Sequence, residues 1–156
     1  MNVTLRPAAV DDGYGLWLWA NDEAARAASG NRAPIEWPSH RAWLADRLGS
    51  PHALVLIAES AARQPLGTIR LESADGWATA RVSYGVAPES RGRGIGRALL
   101  GAGPAALAPS QARARLFAMV QPGNSVSRHL FATLGWVEEG STPTLLRYVR
   151  SGRASS

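Results

Sequence analysis

The chain has 156 residues, 46% of them hydrophobic and 19% charged, which fits one compact domain that buries its own core. It contains no cysteine, which excludes thiol nucleophiles, disulfide bonds and cysteine-ligated zinc. Its uncharged apolar runs fall far short of the roughly 18 residues of a membrane span, and residues 1–10 lack the apolar stretch of a signal peptide. The sequence therefore predicts a cytoplasmic protein without a membrane partner.

The charge is unevenly distributed along the chain. The 17 basic residues, all arginines, and the 12 acidic residues give a net charge of +5. Before Thr79 the net charge is −2, whereas from Thr79 onward it is +7. This asymmetry predicts an anionic partner for the second half, either a nucleic acid or a phosphorylated cofactor.

The first third of the sequence predicts one strand followed by helices. Alternation predicts a strand over Asn2–Pro7, and a broad apolar face predicts a helix from Asp11 or Asp12 to Ala20. Further elements are a helix over Asp22–Ala28, a loop over Asn31–Pro38 and a helix that Ser39 caps and that ends at Leu48. This region holds Trp17, Trp19, Trp37 and Trp43.

The remainder alternates strands with helices. The predicted strands are Ala53–Glu59, Leu66–Glu72, Trp77–Val86, Arg113–Val120, Gly135–Glu138 and Thr144–Arg150, of which the first three form an antiparallel meander. The predicted helices are Ile95–Ala102 and Asn124–Leu134. This order predicts one mixed α/β (α+β) domain over residues 1–150, followed by a frayed tail over 151–156.

A glycine-rich loop precedes the helix at Ile95. In the run Arg91-Gly92-Arg93-Gly94-Ile95-Gly96-Arg97, glycines let backbone N–H groups approach a ligand where a helix N-terminus presents its unpaired donors. The same run contains three arginines, so the sequence predicts a phosphate-binding loop here. The dinucleotide fingerprint and the nucleotide P-loop are both absent.

Two segments resemble the signatures of the GNAT superfamily of N-acetyltransferases. Val86-Ala87-Pro88-Glu89 followed by Arg91-x-x-Gly94-x-Gly96 resembles its acetyl-CoA signature, which follows the fourth strand. The run from Asn124 through Ser127 and Phe131 to Gly135-Trp136 resembles its second signature. The two occur in the family's order, and the resemblance spans nearly the whole chain.

The resemblance implies a GNAT fold and the cofactor acetyl-CoA. It implies a central mixed, mostly antiparallel sheet of about seven strands with a splayed central pair, flanked by about four helices. The strand containing Tyr84 to Val86 would diverge from the one containing Leu116 to Met119, and a backbone N–H near Val86 would polarise the thioester carbonyl. The implied cofactor-binding residues are Tyr84, Val86, Arg91, Gly92, Arg93, Gly94, Ile95, Gly96, Arg97, Asn124 and Arg128.

The chain departs from the family at two catalytic positions. Phe131 stands where a tyrosine often serves as general acid, and Arg81 replaces a strand glutamate that often deprotonates the amine. The candidate catalytic residues are therefore Glu72 as base, Tyr84 as a second base candidate and Ser127 as a hydrogen-bond donor to the sulfur. Direct attack with water as the base remains an alternative.

The tryptophan-rich helices are predicted to bind the acceptor. Trp19-Ala20-Asn21-Asp22, followed by His40 and Trp43, resembles a GNAT subgroup that acetylates amino groups on nucleotide-linked sugars, although Ala20 replaces the expected arginine. The predicted acceptor-binding residues are Trp19, Asn21, Asp22, His40 and Trp43. The histidines have no metal-ligand spacing, so no metal is expected.

Two other functions stay open, and a third is not expected. The chain could bind acyl-CoA without turnover, since the family's tyrosine and glutamate are missing. It could acetylate a protein N-terminus, as ribosomal-protein acetyltransferases do, which would make the acceptor a peptide. A nucleic acid is not expected, because no aromatic residues interleave with the arginine cluster. The assembly is predicted to be a monomer or a homodimer.

Overall fold

The computed structural model describes residues 2–152, so most of the tail predicted to fray lies outside the described residues. Its sheet has seven strands in the order β1-β2-β3-β4-β5-β7-β6. The strands are β1 (Thr4–Pro7), β2 (Ala53–Glu59), β3 (Pro65–Glu72), β4 (Thr79–Val86), β5 (Arg115–Val120), β6 (Val137–Ser141) and β7 (Leu146–Arg150). All neighbours are antiparallel except β4 and β5, which are parallel. The predicted mixed, mostly antiparallel sheet is confirmed.

Five α-helices accompany the sheet, as the sequence pattern predicted, where the family resemblance implied about four. They are α1 (Gly13–Ala20), α2 (Glu23–Ser29), α3 (Trp37–Leu48), α4 (Ile95–Ala102) and α5 (Ser125–Thr133). No helix among residues 2–152 combines the length and apolarity that crossing a bilayer requires.

Two apolar clusters hold the helices against the sheet. The larger packs α4 and α5 on one face through buried residues such as Ile69, Leu71, Leu99 and Phe131. The smaller joins Leu16 of α1 and Leu44 of α3 to Ile57 of β2. Because successive strand residues point to opposite faces, Arg70 and Glu72 lie on the α1–α3 face of β3.

Several predicted boundaries differ from the structure, mostly by one to three residues. The clearest differences concern tryptophans. The third helix begins at Trp37, with Pro38 in its first turn and no side-chain cap, so Ser39 does not cap it. Pro38 suits this first turn because its missing N–H would be unpaired there anyway. Trp77 has a φ of +68° in the turn before β4, where a strand was predicted.

The two parallel strands separate after three pairs of residues. Thr79, Ala80 and Arg81 pair with Arg115, Leu116 and Phe117, and the pairing ends there. Residues 82–86 of β4 therefore diverge from residues 118–120 of β5, which confirms the splayed pair. On β5 the predicted diverging segment began at Leu116, but Leu116 and Phe117 are still paired with β4, so the divergence begins after Phe117. The gap exposes backbone donors and acceptors to an inserted extended group.

Candidate active site

The glycine loop presents an open, uncapped helix N-terminus. Gly92 and Gly94 have φ values of +75° and +80°, a conformation that disfavours side chains, and a Cβ at either position would meet open space. Gly94 occupies the N-cap position of α4 without any side-chain cap, so the first N–H groups of the helix have no side-chain acceptor. Uncapped donors and the helix dipole suit an anionic group.

Gly96 has a packing role that the sequence did not predict. A Cβ there would lie 3.0 Å from Cε2 of Tyr84 and 3.1 Å from Cδ2 of Leu130. The glycine therefore lets α4 pack closely on β4 and α5, and its contact with the cofactor stays a prediction. Close packing therefore accounts for a glycine at position 96 of the signature.

Arg91 is engaged by a residue predicted to bind the acceptor. Its NH2 group donates to Oδ2 of Asp22 at 2.6 Å, across 69 residues of sequence. The same Asp22 oxygen accepts from the Ala25 N–H and caps α2. The Arg91 guanidinium lowers the pKa of Asp22 below its usual range, chiefly through this hydrogen bond. The ion pair joins the glycine loop to the helices of the other face.

Tyr84 and Ser127 form a hydroxyl pair beside the gap. Their hydroxyl oxygens are 2.7 Å apart, and Ser127 lies one turn before Phe131 on α5. Burial raises the pKa of Tyr84, more than the hydrogen bond to Ser127 lowers it, so the phenol is neutral at physiological pH. Phe131 is only 2% exposed and packs edge-on against Tyr84 at 6.0 Å. Tyr84 and Ser127, both predicted catalytic residues, are therefore in contact beside Phe131, the position where the family often has a tyrosine.

The start of α5 is organised by its own side chains. Asn124 caps the helix by accepting from the Ser127 N–H at 3.2 Å. Arg128 donates to the Pro122 carbonyl at 3.0 Å and to the Tyr148 hydroxyl at 3.4 Å. Both residues were predicted to bind the cofactor, and in this structure they order the loop that borders the gap.

A cluster on the α1–α3 face unites three predicted site residues, Glu72, His40 and Trp43, with two arginines that were not predicted site residues. We call His40, Trp43, Arg47, Arg70 and Glu72 the acceptor-face cluster. Glu72 Oε2 accepts from Arg47 Nε at 2.6 Å, and its Oε1 lies 2.5 Å from Arg70 Nε. The Arg70 guanidinium lies 4.8 Å from the centre of the Trp43 ring, which in turn lies 5.4 Å from the His40 ring.

The cluster's position follows from helix and strand periodicity. His40, Trp43 and Arg47 are three and four residues apart, so they share one face of α3. Arg70 pairs in register with Ser83, and Glu72 pairs with Arg81, at the point where β4 leaves β5. Arg47 and Arg70 could have been found as helical and strand neighbours of Trp43 and Glu72, but only the fold shows that they meet.

Two predicted acceptor residues, Asn21 and Trp19, have partners within the fold. The Asn21 amide donates to the Ile35 carbonyl at 2.9 Å and accepts from the Ile35 N–H at 2.7 Å, so both its polar ends are engaged. Trp19 packs on the smaller apolar cluster and lines a cavity of about 250 Å³ with Asp11, Asp12 and Glu89. That cavity includes no member of the acceptor-face cluster. Trp43 packs on the same apolar cluster as Trp19, and the acceptor roles of Trp19 and Asn21 stay predictions.

The splayed strands and the glycine loop define the class of protein. A seven-stranded sheet that opens beside an uncapped helix N-terminus is the GNAT arrangement. Residues 2–137 match the family model of the acetyltransferase (GNAT) domain. The chain belongs to this family and is an acetyl-CoA-dependent N-acetyltransferase.

Solved structures share the fold at low sequence identity. Spermidine N-acetyltransferase from Vibrio cholerae, in complex with CoA and spermine, has a TM-score of 0.84 at 17% identity over 96% of this chain and 95% of its own. A GNAT phosphinothricin acetyltransferase from Sinorhizobium meliloti, in complex with acetyl-CoA, has a TM-score of 0.80 at 18% identity over 97% of this chain and 89% of its own. A ribosomal-protein-alanine N-acetyltransferase from Brucella melitensis has a TM-score of 0.79 at 24% identity over 95% of this chain and 99% of its own. No curated protein sequence matches the chain significantly.

The residues present fit acetyl-CoA. Gly92 and Gly94 leave open space beside the uncapped N-terminus of α4, where a pyrophosphate would find backbone donors. Arg97 is exposed on the same turn, and the gap after Arg81 offers unpaired β4 backbone to an extended arm. The net charge of +7 in this half, which predicted either a nucleic acid or a phosphorylated cofactor as partner, agrees with this fit.

Proposed function

We propose that the protein acetylates the primary amine of a small molecule by direct attack in a ternary complex. Acetyl-CoA supplies the acetyl thioester, and the chain supplies the positions of both substrates and the leaving-group proton. The observation that supports this best is the Tyr84–Ser127 hydroxyl pair, because it lies beside the gap between the splayed strands. A module that only binds acyl-CoA has no need for such a donor.

We assign the general acid to this pair. A neutral phenol donates a proton, and Ser127 holds the Tyr84 hydroxyl at 2.7 Å. This gives Tyr84 an acid's role in place of the base's role considered from the sequence. Ser127 positions Tyr84 and can relay the proton to the leaving thiolate. The backbone N–H groups near Val86 are the candidate donors to the thioester carbonyl.

The predicted base, Glu72, is better suited to positioning. Both its oxygens face guanidinium groups, from Arg47 and Arg70, so neither is free for an incoming amine. We propose that water accepts the amine proton and that Glu72 holds the two arginines in place. Glu72→Gln should then raise the acceptor KM and leave the shape of the pH profile of kcat/KM unchanged. A shifted profile would return Glu72 to the role of base.

The acceptor is proposed to bind over the acceptor-face cluster. Trp43 is half-buried, so its ring offers an apolar surface to a small molecule such as a sugar ring. A nucleotide-linked amino sugar remains the specific candidate from the sequence. A peptide N-terminus is the second candidate, favoured by the likeness to the ribosomal-protein-alanine N-acetyltransferase, whose identity of 24% is above that of the other two structures described.

A turnover assay tests this proposal. The protein is incubated with acetyl-CoA and separate amines: an amino acid, an amino sugar, a nucleotide-linked amino sugar, a polyamine and a short peptide. Release of free CoA thiol and the acetylated product by mass spectrometry are measured, beside acetyl-CoA binding by calorimetry. Binding without turnover on any amine would favour the acyl-CoA-binding module. Turnover of the peptide alone would favour N-terminal acetylation.

A further inference from the structure

The acceptor-face cluster carries more positive than negative charge close to the gap. Arg47 and Arg70 share the single carboxylate of Glu72, and Arg81 lies beside that carboxylate in the β3–β4 register. The only other acidic contact described for these arginines is Asp46, which pairs with Arg47 at the exposed edge. Arg70, whose register partner Ser83 lies in the diverging part of β4, shares its carboxylate with Arg47.

One polar atom in the cluster lacks a partner, and a second is held only by the shared carboxylate. Arg70 Nε is buried and lies 2.5 Å from Oε1 of Glu72, with which its charge is paired. His40 is only 6% exposed, and its buried Nε2 has no partner within the described residues. Both side chains flank the Trp43 ring, at 4.8 Å for the Arg70 guanidinium and 5.4 Å for the His40 ring. A buried polar group left unpaired is costly, so the persistence of His40 Nε2 without a partner points to a ligand.

We propose that the acceptor is a primary amine that also carries a carboxylate, and that Arg70 and His40 bind this carboxylate against the face of Trp43. A carboxylate accepts hydrogen bonds only, which matches the positive charge of the Arg70 guanidinium and a His40 ring protonated on Nε2. Arg70 pairs with Ser83, the residue before Tyr84, so a carboxylate bound there lies near the start of the gap. The amine can then reach the gap while its acid group stays in the cluster.

This inference rests on the proposed acetyl transfer and narrows its substrate class. A polyamine has no anionic group, and its cations would be repelled by Arg47, Arg70 and Arg81. An aminoglycoside is disfavoured for the same reason. An amino acid or a short acidic metabolite with a free amine has the charge that the cluster lacks.

A binding measurement tests the carboxylate site apart from catalysis. The probes are N-acetyl-L-leucine and its neutral amide, N-acetyl-L-leucinamide, titrated in the presence of CoA while tryptophan fluorescence is recorded. The acid should bind at least about tenfold more tightly than the amide, the effect expected for a charge-assisted hydrogen bond. Arg70→Gln should abolish this preference, and Arg41→Gln, an exposed change on the same helix as His40, should keep it.

Equal binding of acid and amide, no binding of either, or an unchanged preference in Arg70→Gln would each overturn the inference. Calorimetry with acetyl-CoA on every variant shows whether the fold and the cofactor site are intact. A second assay compares acetylation of leucine with that of its decarboxylated amine, isoamylamine. Acetylation of the amine as fast as leucine would refute the carboxylate site and leave the proposed transfer standing. Binding of the acid without any acetylation would refute the transfer alone.

Discussion

The hydroxyl oxygens of Tyr84 and Ser127 lie 2.7 Å apart, which joins β4 to α5 beside the gap between the splayed strands. If this pair protonates the leaving thiolate, Tyr84→Phe should lower kcat by about 10²-fold or more, the usual cost of losing a general acid. The acetyl-CoA dissociation constant should change little, because the ring is retained. Steady-state kinetics and calorimetry measure both. An unchanged kcat would mean that thiolate protonation does not depend on Tyr84.

A tyrosine at position 131 should not restore the family's acid. Phe131 is 2% exposed and packs against Tyr84, Trp136 and Tyr148. An added hydroxyl would be buried without a built partner, so Phe131→Tyr should cost about 1–3 kcal/mol of stability without raising kcat. Thermal unfolding beside kinetics checks this. A higher kcat at unchanged Tm would place the acid at Phe131's position instead.

Alanine at two glycines of the signature should have different effects. Gly94→Ala forces a side chain into a φ of +80° beside open space, so it should weaken acetyl-CoA binding with a stability cost of about 1–2 kcal/mol. Gly96→Ala pushes a Cβ against Tyr84 and Leu130, so it should lower Tm by overpacking.

Gly101→Ala is the matched control, because a Cβ at that helical position meets nothing within 4 Å. It should raise stability slightly and leave binding intact. Gly94→Ala with parental acetyl-CoA affinity would show that the loop conformation does not matter for the cofactor. Calorimetry and thermal unfolding on all three variants give the comparison.

Asp22 should compete with the cofactor for the guanidinium of Arg91. Asp22→Asn removes the charge that holds Arg91 at 2.6 Å but keeps an N-cap of similar strength for α2. Acetyl-CoA affinity should therefore rise by about twofold to fivefold, the range of an exposed ion pair. Glu23→Gln, an exposed neighbour with the same charge change, should have no effect. Weaker binding in Asp22→Asn would mean that the pair orders the loop for the cofactor.

His40 should make stability depend on pH below neutrality. Burial, and to a lesser degree the Arg70 charge, lowers the pKa of His40 below its usual 6.5. The unfolded chain therefore binds the proton more readily, so this residue stabilises the fold above about pH 6.5 and the contribution falls as pH drops below it. Tm should fall more between pH 7.5 and 5.5 in the parent than in His40→Asn. The exposed His129→Asn is the control, and equal pH dependence in the parent and His40→Asn would contradict the argument.

The sequence by itself determined the elements and the cofactor loop of this protein. Alternation, helical periodicity and the glycines at 92 and 94 are local properties, since backbone conformation depends on near neighbours, and the predicted strands and helices agree with the structure to within a few residues. The same holds for the two signature segments, each of which lies on consecutive residues. The family could therefore be inferred before any contact was known.

Only the tertiary structure decided which side chains meet. Asp22 pairs with Arg91, Tyr84 with Ser127 and Arg47 with Glu72, across 69, 43 and 25 residues of sequence. Such contacts depend on how the helices pack on the sheet, and a polar side chain has the same local pattern whether it faces a partner, as Asn21 faces Ile35, or a substrate. Single residues of the acceptor-face cluster were predicted from the sequence, but their grouping was not. They come from α3 and β3, which only the packing of the helix on the sheet brings together.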